Sequence, residues 1–240
     1  MEIFAKNEKI QSLENWKNNI SISQWKEGRS AYSLAKYFIS HKKDAEDLIQ
    51  SMLEFVSERE NKELSIKDVV AEIEHASKFD DYRRDRMQDL AIYNNKGGYF
   101  PFFMGIEAKV DEPFGDTIKV AKKKIKSPRV VDLISKYVPG KNSDGYRYQL
   151  LHYLAGSVCE NSDLILMPIL VFKTHLYSNM RGKKNKEEYD KFFGELMDFN
   201  RIESEEDWNV YYVELGVKHV YTFYIEINYE DMDGNNKLIK

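Results

Sequence analysis

The spacing of hydrophobic positions changes along the chain and separates helical from strand-like stretches. In residues 30–38 and 44–58 the apolar side chains recur every three or four positions, which predicts two amphipathic helices. Ser65 precedes another apolar stretch and is a candidate N-cap for a third helix over residues 66–76. Residues 1–78 are therefore predicted to form a helical N-terminal part.

The pattern becomes strand-like in the middle of the chain. Residues 88–94 and 99–110 are apolar and rich in branched and aromatic side chains, and the pair Gly97-Gly98 lies between them, so they predict a β-hairpin. The remaining predicted elements are, in chain order, helices at 117–126 and 128–137, a long helix that Ser143 or Asp144 caps and that runs to about residue 160, a buried strand at 164–172, a loop at 181–186, an amphipathic helix at 186–199, and strands at 211–215 and 220–229.

This succession predicts a mixed β-sheet flanked by helices, which is an α/β (α+β) fold with a helical N-terminal region. The sequence contains no internal repeat and no linker, so we expect a single domain over residues 1–240. In this domain the core occupies residues 88–173, and a C-terminal helix and strands occupy residues 174–240.

Composition narrows the class of protein. Hydrophobic residues make up 42% and charged residues 32%, with 12 Gly and 5 Pro, which excludes collagen-like and low-complexity chains. The single cysteine excludes an intrachain disulfide framework. The longest apolar run is short compared with the roughly 20 residues of a membrane-spanning helix. The first residues are charged where a secretory signal would be apolar, so we expect a cytoplasmic protein without a membrane partner.

Charge is unevenly distributed. The net charge is -4, from 36 basic and 40 acidic residues, which argues against a nucleic-acid partner. However, residues 117–147 contain nine Lys and Arg against two acids, whereas the last forty residues contain nine acids against four bases. Lys122, Lys123, Lys124 and Arg147 are therefore candidate contacts to a phosphate backbone. The alternative for the lysines is a solvated helix face.

One set of residues could carry chemistry. Because strand side chains alternate, Glu107 and Lys109 share one face of the second predicted hairpin strand. Asp89 lies near the start of the first hairpin strand, and two carboxylates and a lysine at adjacent strand ends could hold a divalent cation. The alternative is that these charges face solvent on an edge strand.

The long predicted helix adds a further polar group. Gln149, His152 and Tyr153 are spaced so that they lie near one another on one side of this helix. They could belong to the same site as the strand residues, or they could be the polar edge of a helix that packs on the core.

At these residues the sequence resembles the PD-(D/E)xK nuclease superfamily. Asp89, Glu107, Lys109, Gln149 and Tyr153 match its pattern of an Asp on one strand, Glu/Asp-x-Lys on the next, and Gln-x-x-x-Tyr on the following helix. More narrowly, the sequence resembles an uncharacterised bacterial group within the superfamily. The shared phrases are Trp-Lys-Glu-Gly-Arg-Ser-Ala at 25–31, Glu-Ala-Lys-Val-Asp-Glu-Pro-Phe-Gly at 107–115 and Arg-Tyr-Gln-Leu-Leu-His at 147–152.

The resemblance implies a restriction-endonuclease-like fold and Mg²⁺-dependent hydrolysis of phosphodiester bonds, usually in DNA. By this analogy Asp89, Glu107 and the Ala108 carbonyl would ligate Mg²⁺ or Mn²⁺. Lys109 would orient or help to deprotonate the attacking water and offset charge on the phosphorane. Gln149 would steady Lys109 or a water molecule on the metal.

The sequence leaves the roles of several other residues unassigned. The superfamily often has a helix glutamate ahead of the first strand, and the candidates are Glu72 and Glu74. Asp111 could be an extra ligand or support one, and Arg29 is expected to pair with a carboxylate. Because the superfamily also contains members without cleavage activity, the alternative function is an inactive module that binds nucleic acid or a protein partner. A homodimer is compatible with either function.

Overall fold

The computed structural model describes residues 1–67, 69–82, 85–94, 101–125 and 128–228. The strands in these ranges are β1 Glu2–Ala5, β2 Glu8–Lys9, β3 Val70–Ser77, β4 Arg86–Tyr93, β5 Phe103–Lys109, β6 Leu164–Lys173, β7 Asn200–Ile202, β8 Asn209–Leu215 and β9 Lys218–Asn228. The helices are α1 Leu13–Asn18, α2 Ser30–Ser40, α3 Lys42–Glu60, α4 Ile118–Lys124, α5 Arg129–Tyr137, α6 Tyr148–Val158 and α7 Asn179–Asp190, and a π-helical segment, Lys191–Leu196, continues α7.

The described strands form one mixed sheet in the order β2-β1-β3-β4-β5-β6-β9-β8-β7. The pairs β1–β3, β5–β6 and β6–β9 are parallel, and the other neighbours are antiparallel. The central strands β5 and β6 are buried along nearly their whole length, as expected for strands that are covered on both faces.

Helices cover both faces of the sheet and divide the core into two hydrophobic clusters. On one face, α1, α2 and α3 pack against the sheet, and Ile106 and Ala108 of β5 point into this cluster. On the other face, α4, α5, α6 and the π-helical segment pack against the sheet, and Phe103 of β5 points to them. Because strand side chains alternate, Glu107 and Lys109 point to the face that α6 covers.

Much of the predicted architecture is confirmed. The sheet is mixed and flanked by helices, and the two hairpin strands correspond to β4 and β5, which pair antiparallel. The predicted turn at Gly97-Gly98 lies outside the described residues. The predicted strands at 164–172, 211–215 and 220–229 correspond to β6, β8 and β9.

The prediction that the N-terminal part is helical is wrong in one important respect. The apolar spacing of residues 66–76 predicts a helix, but this region contains β3, Val70–Ser77. The strand is stabilised on both sides, because β1 pairs with it in parallel and β4 pairs with it antiparallel. The strands β1 and β2 also belong to this part of the chain. Neighbouring strands satisfy the backbone of β3, and this outweighs the helical spacing of its apolar residues.

Two predicted helix starts also differ from the structure. The long helix begins at Tyr148 rather than at Ser143 or Asp144, because the preceding segment pairs with the start of α4 through a bridge between Thr117 and Arg147. A loop is predicted at 181–186, but these residues are helical and belong to α7, which begins at Asn179. Asn185 anchors this helix: its side chain is buried and donates to the Glu112 carbonyl at 2.9 Å.

Candidate active site

Strands β4 and β5 stop pairing at one end, and two acidic side chains lie at this point. The register ends at Leu90 and Ile106, and the next residues beyond it are Asp89 on β4 and Glu107 on β5. The Ala108 N–H donates to Asp89 Oδ2 at 2.8 Å. A side-chain carboxylate therefore takes the place of a backbone acceptor, which a buried N–H requires.

Glu107 accepts hydrogen bonds from three side chains at the point where β4 and β5 stop pairing. Its side chain is buried, and its Oε1 accepts from Lys109 Nζ at 2.8 Å and from Gln149 Nε2 at 2.6 Å. The second oxygen, Oε2, accepts from Arg86 Nη2. Burial disfavours the ionised form, but Lys109 and Arg86 outweigh burial and hold the pKa of Glu107 below its usual range. Glu107 is therefore an ionised carboxylate with two cations against it.

A second carboxylate, Glu74 on β3, lines the same pocket as Asp89. The neighbours of Glu74, Ile73 and His75, are both paired with β4, but Glu74 has a left-handed backbone conformation with φ of 51°. Such a conformation costs a residue with a side chain about 1 kcal/mol or more. Glu74 and Asp89 both line a pocket of about 350 Å³ on the side of α1 and α2. Burial raises the pKa of both carboxyl groups, and the negative charge of Glu107 adds to this.

The structure distinguishes between the two candidate glutamates, and neither lies on a helix. Glu72 and Glu74 are both on β3. Glu72 Oε2 contacts His75 Nδ1 at 2.7 Å and accepts from the Tyr93 hydroxyl at 2.8 Å, so it belongs to a separate network. Glu74 is the one that shares the pocket with Asp89.

Two sequence phrases meet at the rim of the same pocket. Arg29 Nη1 lies 2.5 Å from Asp111 Oδ1, which confirms the predicted pairing of Arg29 with a carboxylate. Ser30 Oγ donates to Glu112 Oε1 at 3.0 Å. Both contacts tie the start of α2 to the segment that follows β5. The structure thus engages Asp111 with Arg29, and it places Arg29 and Glu112 in the lining of the pocket together with Lys26.

The polar side of α6 serves two purposes. Gln149 reaches Glu107 rather than Lys109, and so the helix lies against the cluster. Tyr153 is fully buried, and its hydroxyl lies 2.5 Å from the Gly105 carbonyl oxygen and 3.1 Å from that of Pro168. Tyr153 therefore holds β5 and β6 against the helix. His152 packs edge-on against Phe79 at a ring distance of 4.9 Å.

Two of the three lysines at the end of α4 form ion pairs. Lys122 Nζ lies 2.7 Å from Asp144 Oδ1, and Lys124 Nζ lies 2.7 Å from Asp116 Oδ2. Lys123 is exposed between them. The two ion pairs reduce the positive charge that this surface presents to an anion.

Arg147 is also engaged by neighbouring groups. Its Nη2 lies 2.5 Å from Glu188 Oε1, and its Nη1 donates to the Gly115 carbonyl at 2.7 Å. Arg147 therefore ties the segment after β5 to α7. In this conformation Arg147 is ion-paired with Glu188.

Sequence reasoning missed Arg86, which lies at the centre of the cluster. Its guanidinium lies 5.5 Å from the centre of the Tyr153 ring, and its aliphatic part lies against Gly156 of α6. A Cβ at Gly156 would lie 2.6 Å from Arg86 Cγ, so glycine makes room for the arginine. The one signal in the sequence is its position three residues before Asp89, within a charged stretch that gives no indication of burial.

Comparison with known proteins assigns the chain to a family. A family model described as "Domain of unknown function (DUF6946)" matches residues 9–226. The chain belongs to the DUF6946 family. No curated protein and no solved structure matches it. The DUF6946 match includes every strand and helix that contributes a residue to the cluster around Glu107.

The described residues of this DUF6946 domain contain no group of three or more His, Cys, Asp or Glu side chains arranged to hold a metal ion. The cluster offers the carboxylates of Asp89 and Glu107, and Ala108 follows Glu107 in the chain and donates its N–H to Asp89. Among the described residues Asp89 Oδ1 has no hydrogen-bond partner, which leaves it available to a ligand. Oxygen donors of this kind suit Mg²⁺ or Mn²⁺, so the residues fit such an ion in their chemistry.

Within the ranges that the structure covers, no helix is both long enough and apolar enough to cross a membrane.

Proposed function

We propose that this protein is a metal-dependent nuclease that hydrolyses phosphodiester bonds in DNA. The observation that carries the proposal is the meeting of Asp89, Glu107, Lys109 and Gln149 where β4 and β5 stop pairing. These residues come from two strands and a helix, and their separation along the chain reaches 60 positions, from Asp89 to Gln149. Sequence proximity therefore does not account for their convergence.

The order of elements supports the same proposal. The helix α3 is followed by the strands β3, β4 and β5, then by the helices α4, α5 and α6, and by β6, which is parallel to β5. Helix, three strands, helix and strand is the order that the PD-(D/E)xK resemblance implies. The strand β3 completes this order, although its sequence pattern predicted a helix.

Each residue of the cluster has a chemical role in this proposal. Asp89, Glu107 and the Ala108 carbonyl oxygen would hold Mg²⁺ or Mn²⁺, which when bound acts as a Lewis acid on a phosphate oxygen. Lys109 brings a positive charge to within 2.8 Å of Glu107 Oε1, where it can orient water and offset the charge that develops on phosphate. Gln149 donates to the same oxygen at 2.6 Å and so fixes the orientation of the Glu107 carboxylate.

A second candidate function is a non-catalytic module that binds nucleic acid or a protein. It is favoured by the burial of Glu107, which is 3% exposed and already accepts from three donors. In that case the cluster would be a structural ion network, and the exposed Lys123 would contribute to nucleic-acid affinity. This candidate predicts salt-sensitive DNA binding that does not depend on Glu107.

Cleavage assays separate these two functions. Plasmid, linear duplex, single-stranded DNA and RNA are each incubated with Mg²⁺, Mn²⁺ or EDTA, using the wild type, Lys109→Ala and Glu107→Gln. The proposal predicts cleavage by the wild type that requires the cation and falls by about 100-fold or more in both variants. Lys43→Ala is the matched control, because Lys43 is exposed on α3 and pairs only with Asp47 among the described residues.

Two results would count against catalysis at this cluster. One is cleavage that persists unchanged in Lys109→Ala, which would point to another site or to a contaminating nuclease. The other is a wild type that cleaves none of these substrates and binds no Mn²⁺ by calorimetry, while it retains salt-sensitive DNA binding. The second result would favour the non-catalytic module.

A further inference from the structure

The helix α7 carries an exposed basic surface that the proposed chemistry does not use. Arg181, Lys183 and Lys184 are all exposed on this helix. Within the described ranges none of the three forms an ion pair. Lys184 has Glu188 four residues ahead, at the spacing of a common helical ion pair, but Glu188 pairs with Arg147 instead. Three positive charges therefore face solvent without a carboxylate partner.

The order of charges along α7 is not the order that stabilises a helix. Its first turn contains no acidic residue and includes Arg181, whereas Glu187, Glu188 and Asp190 all lie in its second half. The helix dipole favours the reverse order, with acidic side chains near the start of a helix and basic ones near its end. The stability of α7 therefore does not account for its basic surface.

The helix α7 begins at the edge of the sheet where the cluster around Glu107 lies. The strands β5 and β6 are parallel, and Lys109 of β5 is paired with Val171 of β6, so both strands end at the same edge. Residues 174–178 then connect β6 to α7. The chain thus leaves the sheet beside the cluster and forms α7 there.

Two hydrogen bonds hold α7 and the segment before it against the border of the site. The Asn185 side chain is 1% exposed and donates to the Glu112 carbonyl at 2.9 Å, and Glu112 lines the same pocket as Asp89. Thr174 Oγ1 donates to the Gly28 carbonyl at 2.9 Å, in the loop that leads to the rim of this pocket. The basic surface is therefore carried by a helix that is fixed to the surroundings of the cluster.

The spacing and the chemistry of this surface suit the backbone of duplex DNA. An α-helix advances about 4.5 Å over three residues, and the phosphates of one DNA strand recur about every 3.4 Å along the duplex axis. The three cations can therefore contact neighbouring phosphates. A basic helix that binds a membrane surface needs an apolar face as well. Met180 is the one large apolar side chain that α7 exposes, so the surface fits nucleic acid better.

We propose that Arg181, Lys183 and Lys184 bind the phosphate backbone of duplex DNA and hold it at the edge of the sheet where the cluster lies. These cations contribute more to DNA affinity than the lysines of α4, two of which are in ion pairs. The inference rests on the proposed function in one respect, because it takes DNA as the substrate. It requires no metal ion, since the cations hold the duplex and do not touch the reacting atoms.

Fluorescence anisotropy with a labelled DNA duplex tests the proposal on the full chain. Binding is measured in EDTA, which prevents metal-dependent cleavage, between about 50 and 200 mM KCl. The triple variant Arg181→Ala, Lys183→Ala, Lys184→Ala is expected to lower the slope of log affinity against log salt by about 2.7, which is about 0.9 for each lost phosphate contact. Alanine is the best helix former, so these exposed substitutions are expected to preserve α7.

A charge-matched control removes three positive charges elsewhere. Lys6, Lys42 and Lys43 are exposed beside β1 and at the start of α3, and β1 lies four positions from β6 in the sheet. The triple variant Lys6→Ala, Lys42→Ala, Lys43→Ala is expected to keep the slope of the wild type. An equal fall in both triple variants would show only an effect of net charge and would overturn the proposal.

Lys186 provides a control within α7 itself. This lysine is exposed, but it lines a pocket together with the carboxylates of Glu203, Glu206 and Asp207. Those carboxylates repel a phosphate backbone, so Lys186→Ala is expected to change the slope by less than about 0.9. A change as large as that of the α7 triple variant would place the DNA on the wrong side of the helix and refute the assignment.

The possible results separate the inference from the proposed function. An α7 triple variant that keeps the wild-type slope overturns the inference and leaves the nuclease proposal intact. A lower slope, together with a wild type that cleaves no substrate, supports the inference and counts against the nuclease. A wild type that binds no duplex DNA overturns both. Binding to phosphatidylserine vesicles that is tighter than binding to DNA, and that the α7 triple variant loses, overturns the inference in favour of a membrane surface.

A measurement on the wild type tests the same contacts without substitutions. Surface lysines are acetylated with and without saturating duplex DNA, and the modified positions are quantified by mass spectrometry. DNA is expected to protect Lys183 and Lys184, whereas Lys6 and Lys43 are expected to react equally in both samples. Equal modification of Lys183 and Lys184 in the two samples would refute the proposal.

Discussion

His75 lies between two carboxylates and is expected to make the stability of the fold depend on pH above neutrality. Its Nδ1 lies 2.7 Å from Glu72 Oε2, and its Nε2 lies 3.2 Å from Glu160 Oε1. Glu72 is on β3 and Glu160 follows α6, so a charged imidazole links the sheet to the helix that carries Gln149.

The pKa of His75 determines the size and direction of this effect. Burial lowers the pKa, but hydrogen bonds to Glu160 and Glu72 outweigh burial and raise it from 6.5 to about 9. In the unfolded chain His75 loses its proton near pH 6.5, whereas in the folded protein it keeps the proton to about pH 9. The stabilisation is therefore fully present below pH 6.5 and is lost as the pH rises through 9. A difference of about 2.5 pKa units corresponds to about 3 kcal/mol.

Urea denaturation followed by circular dichroism at pH 6.5, 7.5, 8.5 and 9.5 measures this contribution. The free energy of unfolding of the wild type, relative to that of His75→Gln, is expected to fall by about 1 kcal/mol or more per pH unit between these limits. His175→Gln is the matched control, since His175 is exposed. If the curves for wild type and His75→Gln stay parallel from pH 6.5 to 9.5, the carboxylates do not hold a charged imidazole.

Three further changes test the site. Asp89→Asn is expected to raise the free energy of unfolding at pH 8 by about 1–2 kcal/mol, because it removes a carboxylate whose pKa is raised by burial and by Glu107. The same change is expected to abolish DNA cleavage. Urea denaturation and cleavage assays measure the two effects. Tyr153→Phe is expected to cost about 1–3 kcal/mol in the same denaturation assay, because two buried carbonyls lose their donor, without changing Mn²⁺ affinity in calorimetry. Lys123→Ala is expected to lower the slope of log affinity for duplex DNA against log salt by about 0.9, whereas Lys122→Ala changes it less because of its ion pair.

The strands of the site could be predicted because their pattern and their environment agree. Residues 164–172 form a continuous apolar run, and β6 is buried on both faces. The period-two spacing of Glu107 and Lys109 predicts that they share a face, and the 2.8 Å contact between their side chains confirms it. In these segments a local pattern was sufficient, because burial imposes that pattern directly.

The remaining elements depend on contacts between distant parts of the chain. The apolar residues of β3 are compatible with a helix, and its strand conformation comes from pairing with β1 and β4. The position of Arg86 depends on Gly156, which is 70 positions away in the sequence. Likewise, the basic stretch 117–147 is preceded by Asp116, which pairs with Lys124 of that stretch.

The composition of the cluster argues that it was not selected for stability alone. A structural ion pair between Arg86 and Glu107 would be complete without further charges, yet Asp89 and Glu74 bring two more carboxylates whose pKa is raised by burial. Glu74 also has a left-handed backbone conformation, and Arg86 Nε is buried without a partner. Each of these features costs stability, and they occur together where β4 and β5 stop pairing. Backbone strain, unpaired buried donors and unbalanced buried charges occur together in this manner at functional sites, where a ligand can restore the balance of charge.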